Sequence, residues 1–227
     1  MMYIAHRGYS SKQTENTLEA AVIAGKSDYF YGIEFDIHLT KDNEFIVFHD
    51  DNTKRLADRD IIIKEATFAE VMELNLINKK TKKYDLKIPT LKSYLEVVNK
   101  YGKVAVLEMK VEFTLKQIKL LLEAAKLAND LIIISFHLNN LLRVRKLNKK
   151  IKLQYLTSKF NLENFETCLA NKIDLDLNYN LITKENMSYF KSKGFIVNCW
   201  TVNKLPLANK LKKLGVNFIT TDGLKQY

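Results

Sequence analysis

The chain has 227 residues, of which 47% are hydrophobic and 27% are charged, a composition typical of a globular protein with ample core for one large domain. No apolar run reaches the ~20 residues that cross a bilayer, and no secretory signal precedes the first apolar segment, so we expect a cytoplasmic protein without stable membrane insertion. The net charge of +10 is spread over predicted loops and helix faces rather than gathered in one patch, which argues against nucleic acid as the partner.

Short apolar strands alternate with amphipathic helices along most of the chain. Strands are predicted, in chain order, at 3–5, 32–39, 44–48, 104–108, 131–136, 153–157, 173–177, 195–200 and 218–221. Helices are predicted from about residue 15 to 25 and then at 67–74, 91–99, 115–126, 139–146, 162–170, 184–191 and 205–214. Segment 44–48 follows a turn and is expected to form a side hairpin with the second strand.

The repeating strand-then-helix order and the number of strands favour an α/β fold, a single (β/α)8 TIM barrel that occupies residues 1–227. Its irregular stretch, residues 51–91, predicts a small insertion after the second strand. An open doubly wound sheet is the structural alternative, but the chain contains neither a GxGxxG motif nor a P-loop that would support it.

Polar residues at the C-terminal ends of the predicted strands are the first candidates for chemistry, because barrel enzymes place their sites there. His6 and Arg7 end the first strand, where a histidine can transfer protons and an arginine can bind an anion through its fork of donors. Glu34 and Asp36 share one face of the second strand because side chains alternate, and Glu108 ends another strand. Three converging carboxylates favour a cation with oxygen ligands, Mg²⁺ or Ca²⁺.

Further candidates follow other strands. His49 ends an apolar run, and Lys110 shares the strand face of Glu108. Trp200 and Phe136 also lie at strand ends, where they could form an apolar wall of a binding site. The pattern assigns no role to a further set of polar strand residues, namely His38, Asp174 and Asp176.

An ordered set of motifs gives the chain a specific resemblance. The motifs are His6-Arg7-Gly8, Glu15-Asn16-Thr17, Glu34-x-Asp36-x-x-x-Thr40-x-Asp42, His49-Asp50, Ile88-Pro89-Thr90-Leu91, Glu108-x-Lys110, Ser135-Phe136, Trp200-Thr201-Val202-Asn203 and Thr221-Asp222-Gly223. In this order, across nearly the whole chain, they resemble the signature of the glycerophosphodiester phosphodiesterase family. Thr14 departs from the pattern, since the family commonly has proline at this position. We interpret that proline as a residue that would only preset the entry into the helix.

The resemblance implies a (β/α)8 barrel enzyme that hydrolyses small-molecule glycerophosphodiesters to glycerol 3-phosphate and an alcohol with a divalent cation. By matching position, the metal ligands would be Glu34, Asp36 and Glu108. His6 and His49 would be the general acid and base, in either order. Arg7 would bind a phosphate oxygen, with Lys110 beside it.

Two other functions stay open at this point. A lysophospholipase D would use the same chemistry but needs an apolar groove for an acyl chain, for which residues 51–91 are the place. A non-enzymatic anion-binding or nucleic-acid-binding protein would follow from the net charge, although paired proton-transfer groups argue against it. The choice between Mg²⁺ and Ca²⁺, the preferred headgroup, direct attack by water or a cyclic phosphate, and monomer or homodimer are also open.

Overall fold

The computed structural model describes residues 1–225, so the last two residues of the predicted domain lie outside the described residues. The strands in chain order are β1 (Met2–Ala5), β2 (Phe30–Leu39), β3 (Phe45–Val47), β4 (Leu76–Ile77), β5 (Tyr84–Leu86), β6 (Val104–Met109), β7 (Leu131–Ser135), β8 (Lys152–Thr157), β9 (Asp174–Asn178), β10 (Val197–Trp200) and β11 (Phe218–Thr221). The α-helices are α1 (Leu18–Gly25), α2 (Phe68–Glu73), α3 (Leu91–Lys100), α4 (Leu115–Ala124), α5 (Leu138–Leu147), α6 (Leu162–Ala170), α7 (Lys184–Ser192) and α8 (Leu205–Leu214).

Eight parallel strands close into a barrel in the order β1-β2-β6-β7-β8-β9-β10-β11, and β11 pairs with β1 to complete the ring. A helix follows each of the first seven barrel strands along the chain, although the insertion stands between β2 and α3. The (β/α)8 barrel predicted from the sequence is therefore confirmed. All eight strands end at one face of the ring, which we call the C-terminal face.

Alternating side chains divide the core of the barrel into two layers. Ile33, Phe35 and Ile37 of β2 point outward into the large cluster between strands and helices, as the strand alternation predicts. The interior of the ring holds a smaller apolar cluster that includes Ile4, Val106, Ile132, Ile134 and Leu156. Glu34 and Asp36 are on the same inward side, so this interior changes from apolar to acidic towards the C-terminal face.

The insertion, residues 40–90, contains β3, α2, β4 and β5 and packs around an apolar cluster of its own. Strand β3 pairs antiparallel with β2, which extends the barrel sheet by one strand at that point. Thr67 caps α2 in a reciprocal arrangement with Glu70, and Thr90 caps α3, as its position before Leu91 predicts. The insertion is thereby anchored to the barrel at both ends and holds the segment with His49 over the C-terminal face.

Helix α1 begins later than predicted, at Leu18 instead of about residue 15. The two residues before it are not helical: Asn16 adopts a left-handed φ of 56° and bonds to Asp36, and Thr17 is the N-cap. The interpretation of position 14 as the entry into the helix is therefore wrong, since Thr14 lies three residues before the cap.

Candidate active site

The C-terminal face contains a cavity of about 190 Å³ around which the predicted site residues gather. It is lined by His6, Arg7, Glu34, His49, Glu108, Lys110, Phe136 and Trp200 among others. Asp36 is buried beside them. One carboxylate oxygen from each of Glu34, Asp36 and Glu108 lies within 4.8 Å of the other two. The structure thus brings together the whole set of candidates from five different barrel strands and the insertion.

The three carboxylates are held close together and away from solvent. Glu34 and Asp36 are 2% and 1% exposed, and Glu108 is 7% exposed. Burial and the neighbouring charges of Asp36 and Glu108 raise the pKa of Glu34 well above its ordinary value. Burial likewise raises the pKa of Glu108 to about 7, while Lys110 and Arg7 overcome burial and lower the pKa of Asp36 to about 2. One of the three is therefore strongly ionised and the other two are costly to ionise.

Two cations partly offset this acidic cluster. The Lys110 Nζ lies 2.7 Å from Glu108 Oε1 and 3.4 Å from Asp36 Oδ1. The Arg7 guanidinium lies 3.4 Å from Asp36 Oδ2, and its Nη1 donates to Glu15 at 2.7 Å. Yet Glu34 Oε1 and Asp36 Oδ1 are buried without a hydrogen-bond donor from residues 1–225, so the cluster keeps acceptor capacity that the described chain does not satisfy.

The backbone after β1 turns sharply to deliver Arg7 to the cavity. Arg7 has a φ of 54° and Gly8 a φ of 75°, and the Arg7 N–H donates to Glu34 Oε2 at 2.8 Å. A Cβ on Gly8 would approach the backbone of Ala20 to 2.8 Å, so only glycine fits between this turn and α1. The His-Arg-Gly motif is therefore explained by geometry: the turn places a backbone donor and a guanidinium on the acidic cluster.

Each of the two candidate catalytic histidines is oriented by a carboxylate. His6 Nδ1 lies 2.7 Å from Asp222 Oδ1, and His49 Nδ1 lies 2.7 Å from Asp50 Oδ1. A carboxylate at Nδ1 favours the tautomer with hydrogen there and leaves Nε2 for proton exchange. Burial, with the charges of Arg7 and Lys110, lowers the pKa of His49. The site thus contains two carboxylate–histidine pairs on one cavity.

The remaining sequence candidates have distinct places. Phe136 and Trp200 pack edge to face with ring centroids 5.4 Å apart and form one apolar wall of the cavity. His38 Nε2 lies 3.0 Å from the carbonyl of His49, so it supports the segment after β3. Asp176 is buried on the cavity wall, whereas Asp174 accepts a hydrogen bond from the Ile196 N–H at the opposite end of β9.

Several partners of the site residues were not predicted. Asp222 bonds to His6, Asp50 to His49, Asn16 to Asp36, and Glu15 to both Arg7 and Arg55. Most of these residues lie inside the motifs quoted above, and this membership was the only signal in the sequence. Their pairing spans up to 216 positions and depends on loop conformations, which strand and helix periodicity do not describe. Arg55 lies outside these motifs and had no such signal.

The fold and the polar cavity at its C-terminal face are those of a TIM-barrel enzyme. The model of the glycerophosphoryl diester phosphodiesterase family matches residues 6–225. A glycerophosphodiester phosphodiesterase of Caldanaerobacter subterraneus subsp. tengcongensis is 29% identical, with 97% of this chain and 93% of the relative covered. The chain therefore belongs to the glycerophosphoryl diester phosphodiesterase family, which confirms the predicted family and the assignment as a phosphodiesterase enzyme rather than a non-enzymatic binder.

Solved structures agree with this assignment. A phosphodiesterase of Oleispira antarctica in complex with the product sn-glycerol-3-phosphate has a TM-score of 0.91 and 28% identity, with 98% of this chain and 93% of that chain covered. A glycerophosphodiester phosphodiesterase of Thermotoga maritima has a TM-score of 0.78 and 30% identity, with 98% and 94% covered. Among the residues that the structure describes, no helix is both long enough and apolar enough to span a bilayer.

Proposed function

We propose that the protein hydrolyses glycerophosphodiesters to glycerol 3-phosphate and an alcohol, with His6 and His49 as the general acid and base. The observation that carries this proposal is the arrangement of two carboxylate-held histidines and a buried acidic cluster around one cavity. The Oleispira relative, whose structure contains the same product, supports the choice of substrate class.

We further propose that Glu34, Asp36 and Glu108 hold a divalent cation, Mg²⁺ or Ca²⁺. The donor set fits such an ion because it consists of carboxylate oxygens, two of which are buried and accept no hydrogen bond from residues 1–225. When bound, the ion would supply positive charge against the phosphoryl oxygens and polarise a bound hydroxyl. The raised pKa of Glu34 also fits, since its ionised form needs a nearby positive charge.

The chain's own residues supply the proton transfers. One histidine accepts the proton of the attacking O–H through Nε2, and the other donates its proton to the leaving alkoxide oxygen as the P–O bond to the alcohol breaks. Asp222 and Asp50 stabilise whichever imidazolium forms, because each carboxylate lies 2.7 Å from Nδ1. With water as the nucleophile these two transfers give glycerol 3-phosphate directly. With a glycerol hydroxyl they give a cyclic phosphate, and a second pair of transfers, in which water attacks the phosphorus and one ring P–O bond breaks, gives glycerol 3-phosphate.

The cavity walls orient the substrate. Arg7 and Lys110, both on the wall, would bind phosphoryl oxygens and stabilise the negative charge that develops there. The glycerol carbons would lie against Phe136 and Trp200, which form the apolar wall. Glycerol phosphate therefore meets charge on one side of the cavity and apolar surface on the other.

The test is release of glycerol 3-phosphate from glycerophosphocholine, with Mg²⁺ or Ca²⁺ and with a chelator. His6→Ala should abolish release, while His137→Ala, an exposed histidine outside the cavity, should leave it unchanged. Release that survives chelation would remove the metal from the proposal, and release that survives His6→Ala would remove His6. Faster turnover of lysophosphatidylcholine than of glycerophosphocholine would favour the lysophospholipase D alternative.

A further inference from the structure

A second cavity, of about 730 Å³, adjoins the first and shares His6 and Arg7 with it. We call it the lysine groove, because Lys79, Lys204 and Lys225 stand on its walls. The smaller cavity, of about 190 Å³, has the acidic cluster and the aromatic wall and suits the glycerol phosphate. His6 and Arg7 line both cavities. With glycerol phosphate in the smaller cavity, the part of the substrate that leaves as the alcohol would therefore lie in the lysine groove.

The charge balance of the lysine groove is positive. Its two carboxylates are already paired: Glu15 with Arg7 and Arg55, and Asp222 with His6. Within residues 1–225, none of the three lysines has a carboxylate within ion-pair distance, although such pairs occur at Lys110, Lys126, Lys152 and Lys193. The groove therefore presents cationic groups that the described chain does not neutralise.

Lys79 is held in place by its surroundings. Its Nζ donates to the Ser10 carbonyl at 2.6 Å, and its backbone N–H donates to Thr14 Oγ1 at 2.9 Å. The buried Thr14 hydroxyl in turn donates to the Ile77 carbonyl at 2.6 Å, which ties the loop after β1 to β4. Proline at position 14 lacks a hydroxyl and could make neither bond, so the departure from the family pattern sets the position of Lys79.

Lys204 and Lys225, which also line the groove, are adjacent to each other. They form an isolated parallel bridge, in which the Leu205 N–H donates to the Lys225 carbonyl and the Lys225 N–H donates to the Asn203 carbonyl, both at 2.9 Å. Both side chains are exposed. Two adjacent like charges repel each other, and a bound anion relieves that repulsion.

We propose that the lysine groove is a subsite for a negatively charged group on the alcohol arm of the substrate, such as a second phosphodiester. The inference rests on the proposed hydrolysis of glycerophosphodiesters and adds a substrate class to it. Positive charge lining a groove attracts anionic substrates and repels cationic ones. The protein should therefore prefer an anionic alcohol arm to the cationic choline arm.

The experiment measures kcat/KM on three substrates whose alcohol arms differ in charge. They are glycerophosphocholine, with a cationic arm, glycerophosphoglycerol, with a neutral arm, and bis(glycerophospho)glycerol, with an anionic second phosphodiester. We expect kcat/KM per cleavable ester to rise about tenfold from the cationic to the anionic arm at low salt, and the ratio to shrink as ionic strength increases. No hydrolysis of any of the three would refute the proposed function itself.

Variants separate the groove from the general charge of the protein. We call the kcat/KM for the anionic-arm substrate divided by that for the cationic-arm substrate the anionic-to-cationic ratio. The triple variant Lys79→Gln, Lys204→Gln and Lys225→Gln should bring this ratio close to one. The control triple Lys119→Gln, Lys149→Gln and Lys150→Gln removes the same charge from exposed lysines outside the groove and should keep the ratio. Hydrolysis with equal or reversed preference in the wild type, or a ratio lowered equally by both triples, would overturn the subsite while leaving the proposed function intact.

Thr14→Val tests how Lys79 is positioned, since valine keeps the shape of threonine but loses the hydroxyl. It should lower the anionic-to-cationic ratio as far as Lys79→Gln does, with little effect on the neutral arm. Conversely, a ratio unchanged in Thr14→Val but lowered in Lys79→Gln would show that Lys79 acts without this anchor.

Discussion

Replacing Asp222 by asparagine isolates the contribution of the carboxylate that orients His6. Asp222 Oδ1 accepts from His6 Nδ1 at 2.7 Å and from Ser10 at 2.9 Å, and Oδ2 accepts from Asn203 at 2.6 Å. These donors lower the pKa of Asp222 far below its ordinary value, so the group is charged at every pH at which the enzyme would be assayed. Asp222→Asn keeps the shape, removes the charge and places an NH₂ group among the donors.

The magnitude follows from the bond to His6. A hydrogen bond to a charged group contributes about 2 kcal/mol, and the carboxylate acts when the imidazolium forms. Since 1.36 kcal/mol corresponds to a tenfold change in rate, we expect kcat to fall about 30-fold in Asp222→Asn, with a smaller change in KM.

The assay is steady-state release of glycerol 3-phosphate with saturating metal, together with thermal denaturation to confirm the fold. Asp130→Asn, which breaks an exposed pair with Lys152, is the matched control and should leave kcat unchanged. A kcat within about threefold of wild type in a folded Asp222→Asn variant would refute the view that Asp222 orients His6.

Three other perturbations test the proposed metal binding by the acidic cluster and the proposed role of the apolar wall. Glu34→Gln should raise the melting temperature of the protein near pH 8 without added metal, because it removes a buried carboxylate that is costly to ionise. The same variant should lose the stabilisation by added Mg²⁺. A response to Mg²⁺ equal to that of the wild type would remove Glu34 from the proposed ligand set. Burial raises the pKa of Glu108 from 4.5 to about 7, so the stability it contributes is present below pH 4.5 and lost as pH rises through about 7. A metal ion held by Glu108 would compete with that proton. Thermal shifts should then show that stabilisation by Mg²⁺ grows between about pH 5 and about pH 8, whereas a constant shift would contradict this. Trp200→Ala should raise KM about tenfold with less effect on kcat, and Phe136→Ala should have a smaller effect because Phe136 is 43% exposed; equal KM values in all three proteins would exclude the apolar wall from binding.

The sequence predicted the parts of this molecule that depend on periodicity. Glu34 and Asp36 on one face of β2, with Phe35 on the other, follow from alternation along a strand, and the strand-then-helix repeat predicts the barrel. Glu108 was found in the same way, as a polar residue at the end of an apolar run. These features are local, so neighbouring residues are enough to indicate them.

The features that periodicity missed depend on irregular backbone. Helix α1 begins later than predicted because Arg7 and Asn16 take left-handed conformations and their side chains contact the acidic cluster. The role of Thr14 was missed for the same reason, since its partners Ile77 and Lys79 lie in the insertion. Loop residues that pair with distant loops have no sequence period, so only their membership in a motif draws attention to them.

The pair of His6 and Asp222 joins the two strands that close the barrel, β1 and β11, across 216 positions of the chain. In folding, contacts between such distant segments carry a large entropic cost of loop closure and are expected to form late. Catalytic activity regained during refolding would therefore report the closing of the ring, whereas the helical signal can recover while the ring is still open. Recovery of activity would therefore measure when the first and last strands of this barrel pair.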